Sequence, residues 1–189
     1  GVKKILIICP ASLKLNWQRE IENYTDRSIY IAEGKKFSTE HDFVIVNYDI
    51  LKNFYDIKDK ENSLITKSGF DVIILDEAHY VSNGQAKRTK LVNSFCKNPK
   101  YLWLLTGTPM TNRPMNYFNL LNLIESPVSQ NWMAYAIRYC QGYQFTAGNR
   151  KIWNVSGASN LEELRDRTSR QVLRRLKTEV LDLPDKIIS

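Results

Sequence analysis

A run of apolar residues that ends abruptly in two carboxylates constrains the fold of this chain more than any other stretch. Residues 72–75 read Val-Ile-Ile-Leu, and Asp76, Glu77 and His79 follow within four positions. A short apolar run without polar alternation is typical of a strand buried on both faces of a parallel sheet. Because adjacent carboxylates at the end of such a strand add nothing obvious to stability, this pattern indicates a chemical function.

Further short apolar segments alternate with helical patterns along the first 113 residues. This alternation predicts an α/β fold, a parallel sheet with flanking helices. After Pro114 the pattern becomes helical, apart from a polar, glycine-rich stretch at 141–158, which predicts an irregular loop and for which the sequence indicates no role. We therefore expect two parts, residues 1–113 and an α-helical tail at 114–189. The predicted strands are 5–9, 28–32, 43–46, 72–75 and 102–105.

Helix boundaries are predicted from capping patterns. Ser12 is in position to cap a helix that carries Leu13, Trp17, Ile21 and Tyr24 at helical spacing,. Trp17 falls on the apolar face of this helix, which favours a core residue over a base-stacking residue. The stretch Ser-Asn-Leu-Glu at 159–162 predicts a capping box before a later helix. A last apolar stripe, residues 172–180, predicts one more helix.

The strand ends predict where a ligand binds. In open parallel sheets, ligands bind beyond the carboxyl ends of the strands. The first polar or special residue after each of four predicted strands is therefore expected on one rim of the sheet. These residues are Pro10, Asn47, Asp76 and Thr106.

The residues of this rim suit phosphoryl transfer. One carboxylate of Asp76 and Glu77 can hold Mg²⁺, directly or through water, while the other orients or deprotonates an attacking water. Small hydroxyl residues at the next strand end, Thr106 and Thr108, could hydrogen-bond His79. The alternative is that the two carboxylates only cap a following helix, and the second motif on the rim favours chemistry over that alternative.

Charge and cysteine content narrow the class of partner. The 189 residues carry 27 Lys and Arg against 20 Asp and Glu, a formal net charge of +7, which favours nucleic acid over a membrane surface. No apolar run approaches the roughly 20 residues that cross a bilayer. Cys9, Cys96 and Cys140 are far apart and form no Cys-x-x-Cys pair, which argues for reduced thiols rather than a disulfide scaffold or a zinc site.

Five blocks in order along the chain carry a resemblance to a known family. The five blocks are ILIICPASLKLNWQREIENY, FVIVNYDIL, DEAH, LLTGTPMTNRP and RRLKTEVLDLPDK. In this order they resemble motifs Ia, Ib, II and III and the segment that closes the first lobe of the superfamily-two helicases and, more narrowly, of the Swi/Snf-type DNA-dependent ATPases. The stretches RYC, SGASNLEEL and VLRRLK most of all resemble the annealing-helicase-like (HepA-related) branch of that family.

The resemblance implies a function for the rim residues. Asp76 would coordinate Mg²⁺ and Glu77 would polarise the hydrolytic water, with ATP as the nucleotide. His79 would couple the nucleotide site to the turn of Thr106, Gly107 and Thr108. The residues that the resemblance places on the backbone of double-stranded DNA are Pro10, Ser12, Lys14, Asn47, Tyr48, Asn112 and Arg113.

The sequence departs from the family pattern in its phosphate loop. Gly34 and Lys35 form the only Gly-Lys pair, and they lack the upstream glycine and the following Ser or Thr of a P-loop,. The resemblance implies a RecA-like first lobe from motif Ia onward, without its P-loop strand and without the second lobe. We expect these parts of the same protein to be partners of the chain, which alone would not hydrolyse ATP.

Two alternatives remain open at the level of sequence. The chain could be a non-catalytic nucleic-acid-binding or scaffold module of the same fold; a P-loop encoded upstream of Gly1 would support the motor instead. It could also be an unrelated α/β hydrolase, which would need a further Asp or His on the rim. The Lys-, Asn- and Ile-rich composition predicts an intracellular protein of a bacterium or its phage rather than of a nucleus.

Overall fold

A five-stranded, fully parallel sheet organises the first part of the chain. In the computed structural model, which describes residues 1–97, 99–107 and 113–174, the strand order is β2-β3-β1-β4-β5. The predicted α/β class is confirmed. The strands are β1 (Ile5–Cys9), β2 (Ile29–Ile31), β3 (Phe43–Asn47), β4 (Val72–Leu75) and β5 (Tyr101–Leu104).

Helices cover both faces of this sheet and continue after it. Within the described residues, three connections begin with a 3-10 segment shortly after a strand, at 11–13, 48–53 and 78–81. The short helix α2 has no counterpart among the sequence-based predictions. The helices are α1 (Lys14–Tyr24), α2 (Leu64–Ser68), α3 (Lys87–Phe95), α4 (Pro114–Leu123), α5 (Trp132–Cys140) and α6 (Leu161–Thr168).

The central strands bury alternate side chains on opposite faces of the sheet. One face of β1 presents Leu6 and Ile8 to the larger core, which also contains side chains of α3, α4 and α5. The other face presents Ile7 and Cys9 to a smaller core closed by Ile21 of α1. Burial on both faces explains why these strands are continuous apolar runs. Tyr24, predicted on the apolar stripe of α1, is 86% exposed at the last residue of this helix and lies outside the smaller core.

The tail contains a β-hairpin as well as helices. Residues 141–158, expected as an irregular loop, include the antiparallel strands β6 (Tyr143–Ala147) and β7 (Arg150–Asn154). Asn119 of α4 donates a hydrogen bond to the Val81 carbonyl at 2.6 Å, so the tail is in direct contact with the turn after β4. A division of the chain at 113/114 stays a prediction.

Two predicted caps are wrong. Ser12 lies inside a 3-10 turn and α1 begins after Leu13 without a side-chain cap. Asn160, at the start of α6, has a left-handed backbone with φ of 51°, and Ser159 and Asn160 instead donate to the Arg138 carbonyl of α5. Tertiary contacts with α5 therefore replace the capping box.

Of the predicted apolar stripe at 172–180, residues 175–180 lie outside the described residues. The helix α6 ends before this stripe, at Thr168. Within the described ranges, no helix has the length and apolar character needed to cross a membrane.

Candidate nucleotide and nucleic-acid site

The carboxyl ends of four strands meet along one edge of the sheet. The register pairs Cys9 with Asn47 and pairs Leu75 with both Ile8 and Leu104. Pro10, Asn47, Asp76 and Thr106, each at the end of its strand or just beyond it, therefore lie on the same rim. The structure brings together the residues that the sequence places after separate strands.

Backbone hydrogen bonds join the turn after β4 to the turn after β5. Leu105 N donates to the Leu75 carbonyl at 2.8 Å, and Ala78 N donates to the Leu105 carbonyl at 2.8 Å. Thr106 is half-buried and Gly107 is exposed beside this junction. Thr108 lies outside the described residues, so a contact of its side chain with His79 stays a prediction.

The carboxylate of Asp76 is held by two donors from different parts of the chain. The indole Nε1 of Trp17 donates to Oδ2 at 2.8 Å, and the backbone N of Glu77 donates to Oδ1 at 2.8 Å. Each carboxylate oxygen can accept more than one hydrogen bond or metal contact. The half-buried Asp76 side chain is therefore oriented and still able to bind a cation.

The backbone of Asp76 is fixed as well. Its N–H donates to the Ile8 carbonyl at 2.8 Å, and its carbonyl accepts the Tyr48 hydroxyl at 2.8 Å. Burial raises the pKa of Tyr48, and the charge of Asp76 raises this pKa further. The Tyr48 hydroxyl therefore stays protonated and remains a donor.

Glu77 has a backbone conformation that side chains rarely adopt. Its φ and ψ are 49° and 50°, in the left-handed region, which costs an ordinary residue about 1–2 kcal/mol. Its carboxylate is 38% exposed, and Oε2 lies 3.1 Å from His79 Nδ1 without the alignment of a hydrogen bond. Strain of this kind is concentrated at functional sites, which supports a role for this carboxylate.

An aromatic stack supports the carboxylate turn from the side of β3. The rings of Tyr48 and Tyr80 are parallel within 7°, with centroids 5.5 Å apart. The Arg88 guanidinium lies 5.3 Å from the Tyr80 centroid and pairs with Asp49. Sequence reasoning missed this use of Tyr80 and Arg88, because their spacing along the chain does not show that they meet Tyr48.

The predicted nucleic-acid contacts differ widely in accessibility. Ser12 and Arg113 are exposed, and Pro10 is half-buried. Lys14 is half-buried and donates to the Ala32 carbonyl at 3.1 Å.

Asn47 and Tyr48 are only 7% and 4% exposed, and the Tyr48 hydroxyl is already used on Asp76. Direct contact of these two side chains with nucleic acid stays a prediction. Asn112 lies outside the described residues.

The donor set is compatible with Mg²⁺ held together with a nucleotide. The described residues contain no group of three or more His, Cys, Asp or Glu side chains that could hold a metal. Mg²⁺ usually binds through one or two carboxylates together with waters and substrate phosphates. Asp76, with Glu77 beside it, supplies oxygen ligands of that kind at a solvent-accessible edge.

Comparison with known proteins gives one consistent result. The family model for the SNF2-related domain matches residues 1–189. The chain is 34% identical to the bovine protein "DNA annealing helicase and endonuclease ZRANB3" over 97% of the chain and 18% of that protein. It is 33% identical to the Caenorhabditis elegans "SWI/SNF-related matrix-associated actin-dependent regulator of chromatin subfamily A-like protein 1 homolog" over 96% of the chain and 26% of that protein.

A solved structure has the same fold. The "Sulfolobus solfataricus SWI2/SNF2 ATPase core in complex with dsDNA" superimposes with a TM-score of 0.71 at 24% identity, over 98% of this chain and 37% of that one. The chain thus spans between 18% and 26% of the length of the two curated relatives.

Proposed function

The chain belongs to the SNF2-related domain family, and from that premise we propose that it forms the carboxylate-bearing part of the first RecA-like lobe of a DNA-dependent ATPase. The whole protein would couple ATP hydrolysis to movement along double-stranded DNA, in remodelling or in fork or annealing reactions. The main support is the position of Asp76 and Glu77, which leave the sheet beside the Thr106 turn at a solvent-accessible edge.

The geometry assigns different tasks to the two carboxylates. Asp76, oriented by Trp17 and by the Glu77 N–H, is the proposed ligand of Mg²⁺, which when bound neutralises charge on the nucleotide phosphates. Glu77, with its side chain more than a third exposed, is the proposed group that orients the attacking water. His79 contacts Glu77 and lies in the turn bonded to β5, so we assign it to coupling with Thr106, Gly107 and Thr108.

Contacts to the DNA backbone would come from the adjacent strand ends. The exposed Ser12 and Arg113, with Lys14, offer donors without reading base edges, as a translocase requires. We also assign Pro10, Asn47, Tyr48 and Asn112 to this surface on the family pattern. The net charge of +7 and the double-stranded DNA bound to the Sulfolobus ATPase core support a DNA partner.

We propose that the 189 residues alone do not hydrolyse ATP. They contain no Gly-x-x-x-x-Gly-Lys-Ser/Thr stretch, and a motor of this type needs such a loop to hold the phosphates. A bacterial or phage origin stays a prediction, since the relatives named above come from cattle, a nematode and Sulfolobus.

An ATPase assay tests the assignment of the carboxylates. In the natural protein that contains these residues, Glu77→Gln and Asp76→Asn should each lower DNA-stimulated hydrolysis by about a hundredfold or more, because an oriented base and a metal ligand are lost. Glu61→Gln, at an exposed carboxylate in the turn before α2, is the matched control and should hydrolyse at the unmodified rate.

The 189-residue chain should hydrolyse no faster than its own Glu77→Gln variant. DNA binding by the natural protein without any hydrolysis would contradict the motor and support the non-catalytic module. A natural protein that hydrolyses ATP at full rate with Glu77→Gln would contradict the site.

A further inference from the structure

The β6–β7 hairpin presents an uncovered apolar face. The register places Tyr143, Phe145, Arg150 and Ile152 on the same side, because Phe145 pairs with Ile152 and Ala147 pairs with Arg150. Tyr143, Phe145 and Ile152 are 56%, 43% and 43% exposed. We call these four residues the aromatic face; single exposed apolar residues are ordinary on a surface, but three on one face mark a binding surface.

The hairpin is firmly attached to α5 at its base. A Cβ on Gly142 would lie 2.8 Å from the Ala136 carbonyl, and one on Gly157 would lie 3.0 Å from the Cys140 carbonyl. Only glycine allows both ends of the hairpin to approach the helix so closely. Trp153, on the opposite face from Phe145, packs edge-on against Trp132 of α5 at 5.3 Å, so the hairpin contacts α5 through the face opposite the aromatic face.

The aromatic rings are held in place rather than loosely exposed. Asn154 Nδ2 donates to the Tyr143 hydroxyl at 3.1 Å across the strands. The Tyr143 and Phe145 centroids are 6.2 Å apart. The turn at Gly148, whose φ is +60°, has the sign required for a two-residue hairpin turn. The hairpin therefore presents two neighbouring rings, of which that of Tyr143 is held by a hydrogen bond.

The hairpin itself carries positive and no negative charge. No Asp or Glu occurs between Glu125 and Glu162 in the sequence, whereas this interval contains Arg150 and Lys151, besides Arg138, which pairs with Glu163. Arg150 and Lys151 follow directly after the turn, and both are exposed. A polyanion complements this charge, and the rings add surfaces on which bases can stack.

We propose that the aromatic face binds single-stranded nucleic acid, with unpaired bases stacking on Tyr143 and Phe145 and backbone phosphates contacting Arg150. Bases in a duplex are already stacked and paired, so the rings select unpaired segments. The face lies in the tail, on an element separate from the strand ends assigned to the duplex backbone. It thus adds a second nucleic-acid surface to the proposed function.

Binding of short labelled oligonucleotides to the 189-residue chain tests this inference. The probes are a fluorescein-labelled single strand of about 15 nucleotides, the matched duplex, and a strand of equal length in which abasic sites replace the bases. Replacing both rings, with Tyr143→Ala and Phe145→Ala, should weaken binding of the single strand by about tenfold or more and leave duplex binding unchanged.

The matched controls separate stacking from charge and from folding. Tyr143→Phe combined with Phe145→Tyr keeps both rings and should bind as the unmodified chain does. Tyr24→Ala removes an aromatic side chain that is 86% exposed on α1 and should have no effect. The abasic strand should bind the unmodified chain and the double alanine variant equally, because only bases can stack.

Three results would overturn the inference. The unmodified chain shows no measurable binding of the single strand, the double alanine variant binds the single strand as tightly as the unmodified chain does, or the unmodified chain binds the abasic strand as tightly as the strand that carries bases. If the alanine variant instead loses only self-association, the face is a protein interface. An unmodified chain that binds the single strand and not the duplex would count against the duplex assignment alone.

Discussion

At the scale of single residues, Trp17 connects the apolar face of α1 to the candidate catalytic aspartate. Its ring packs against the smaller core, as the helical spacing predicts. Its indole N–H also reaches Asp76, which is 59 positions away in the sequence. A hydrogen bond to a charged acceptor contributes about 1.5–3 kcal/mol when water is excluded, and solvent access to the half-buried Asp76 reduces this value.

A double-mutant cycle isolates this hydrogen bond. Trp17→Phe keeps an aromatic ring and removes the N–H, and Asp76→Asn removes the charge of the acceptor. We expect a coupling of about 1 kcal/mol between the effects of the two changes on the free energy of unfolding, measured in urea with the 189-residue chain. Once one change has weakened the hydrogen bond, the other change loses less by weakening it again.

The control cycle pairs Trp153→Phe with Asp76→Asn. Trp153 packs on Trp132 in the tail, so these two changes should be additive. Additive effects of Trp17→Phe and Asp76→Asn would show that the indole does not hold the carboxylate in solution.

At the scale of elements, α5 and α6 are joined through Glu163. Its carboxylate accepts hydrogen bonds from the Arg138 guanidinium and from the Tyr139 hydroxyl, and it pairs with Arg167 at 3.6 Å. The hydrogen bond from Arg138 is the main cause that lowers the pKa of Glu163 from 4.5 to about 2. A lowered native pKa means that the unfolded chain binds more protons between these two values, so acid weakens this junction.

The pH dependence of stability tests this junction. Glu163→Gln should be less stable than the unmodified chain near neutral pH, because the ion pairs are lost. The difference should be complete above pH 4.5 and should disappear as the pH falls toward about 2, since protonation then removes the same charge from the unmodified chain. Thermal unfolding at a series of pH values measures it.

Glu162→Gln is the matched control on the same helix, at an exposed neighbouring carboxylate. It should change stability little at any pH. If the Glu163→Gln difference is the same at pH 7 and at pH 2, charge on Glu163 does not hold α5 to α6.

The strands and the start of α6 together show why elements are easier to predict from sequence than the ends of helices. The predicted strands match the described strands within two residues at each end, because continuous apolar runs are a local property of the sequence. The expected capping box at 159–162 depended on local pattern alone. The Arg138 carbonyl of α5 competes for the same side chains and changes the start of α6.

At the scale of the whole molecule, the three cysteines report on the integrity of both cores. Cys9 lies in the smaller core, and Cys96 and Cys140 lie in the larger one; all three are free and buried. Burial is the main cause that raises the pKa of Cys9 to about 12 and that of Cys140 to about 11, and it also raises the pKa of Cys96. Since the thiolate is the reactive form, these thiols should be inert in the folded chain.

Reaction with a thiol reagent such as Ellman's reagent measures this protection. At about pH 8, close to the pKa of a free cysteine, the native thiols should react only as fast as the chain unfolds, and denaturant should make all three react at once. Asn23→Cys, on the exposed side of α1, is the control and should add one thiol that reacts immediately. Native thiols that react as fast as this added one would show that the cores open readily.

The sequence by itself determined the alternation of strands and helices and the position of Asp76 and Glu77 at a strand end, because burial of apolar runs and the rim of a parallel sheet follow from local patterns. The tertiary structure alone decided the partners of these residues: the Trp17 indole on Asp76, the Tyr48 hydroxyl on its carbonyl, and the strained backbone of Glu77. Such contacts join residues far apart in the chain. They depend on how α1 is rotated about its axis relative to the sheet and on the order of the strands in the sheet. The hairpin at 143–154 follows the same rule, because its ring contact with α5 joins Trp153 to Trp132, which is 21 positions away.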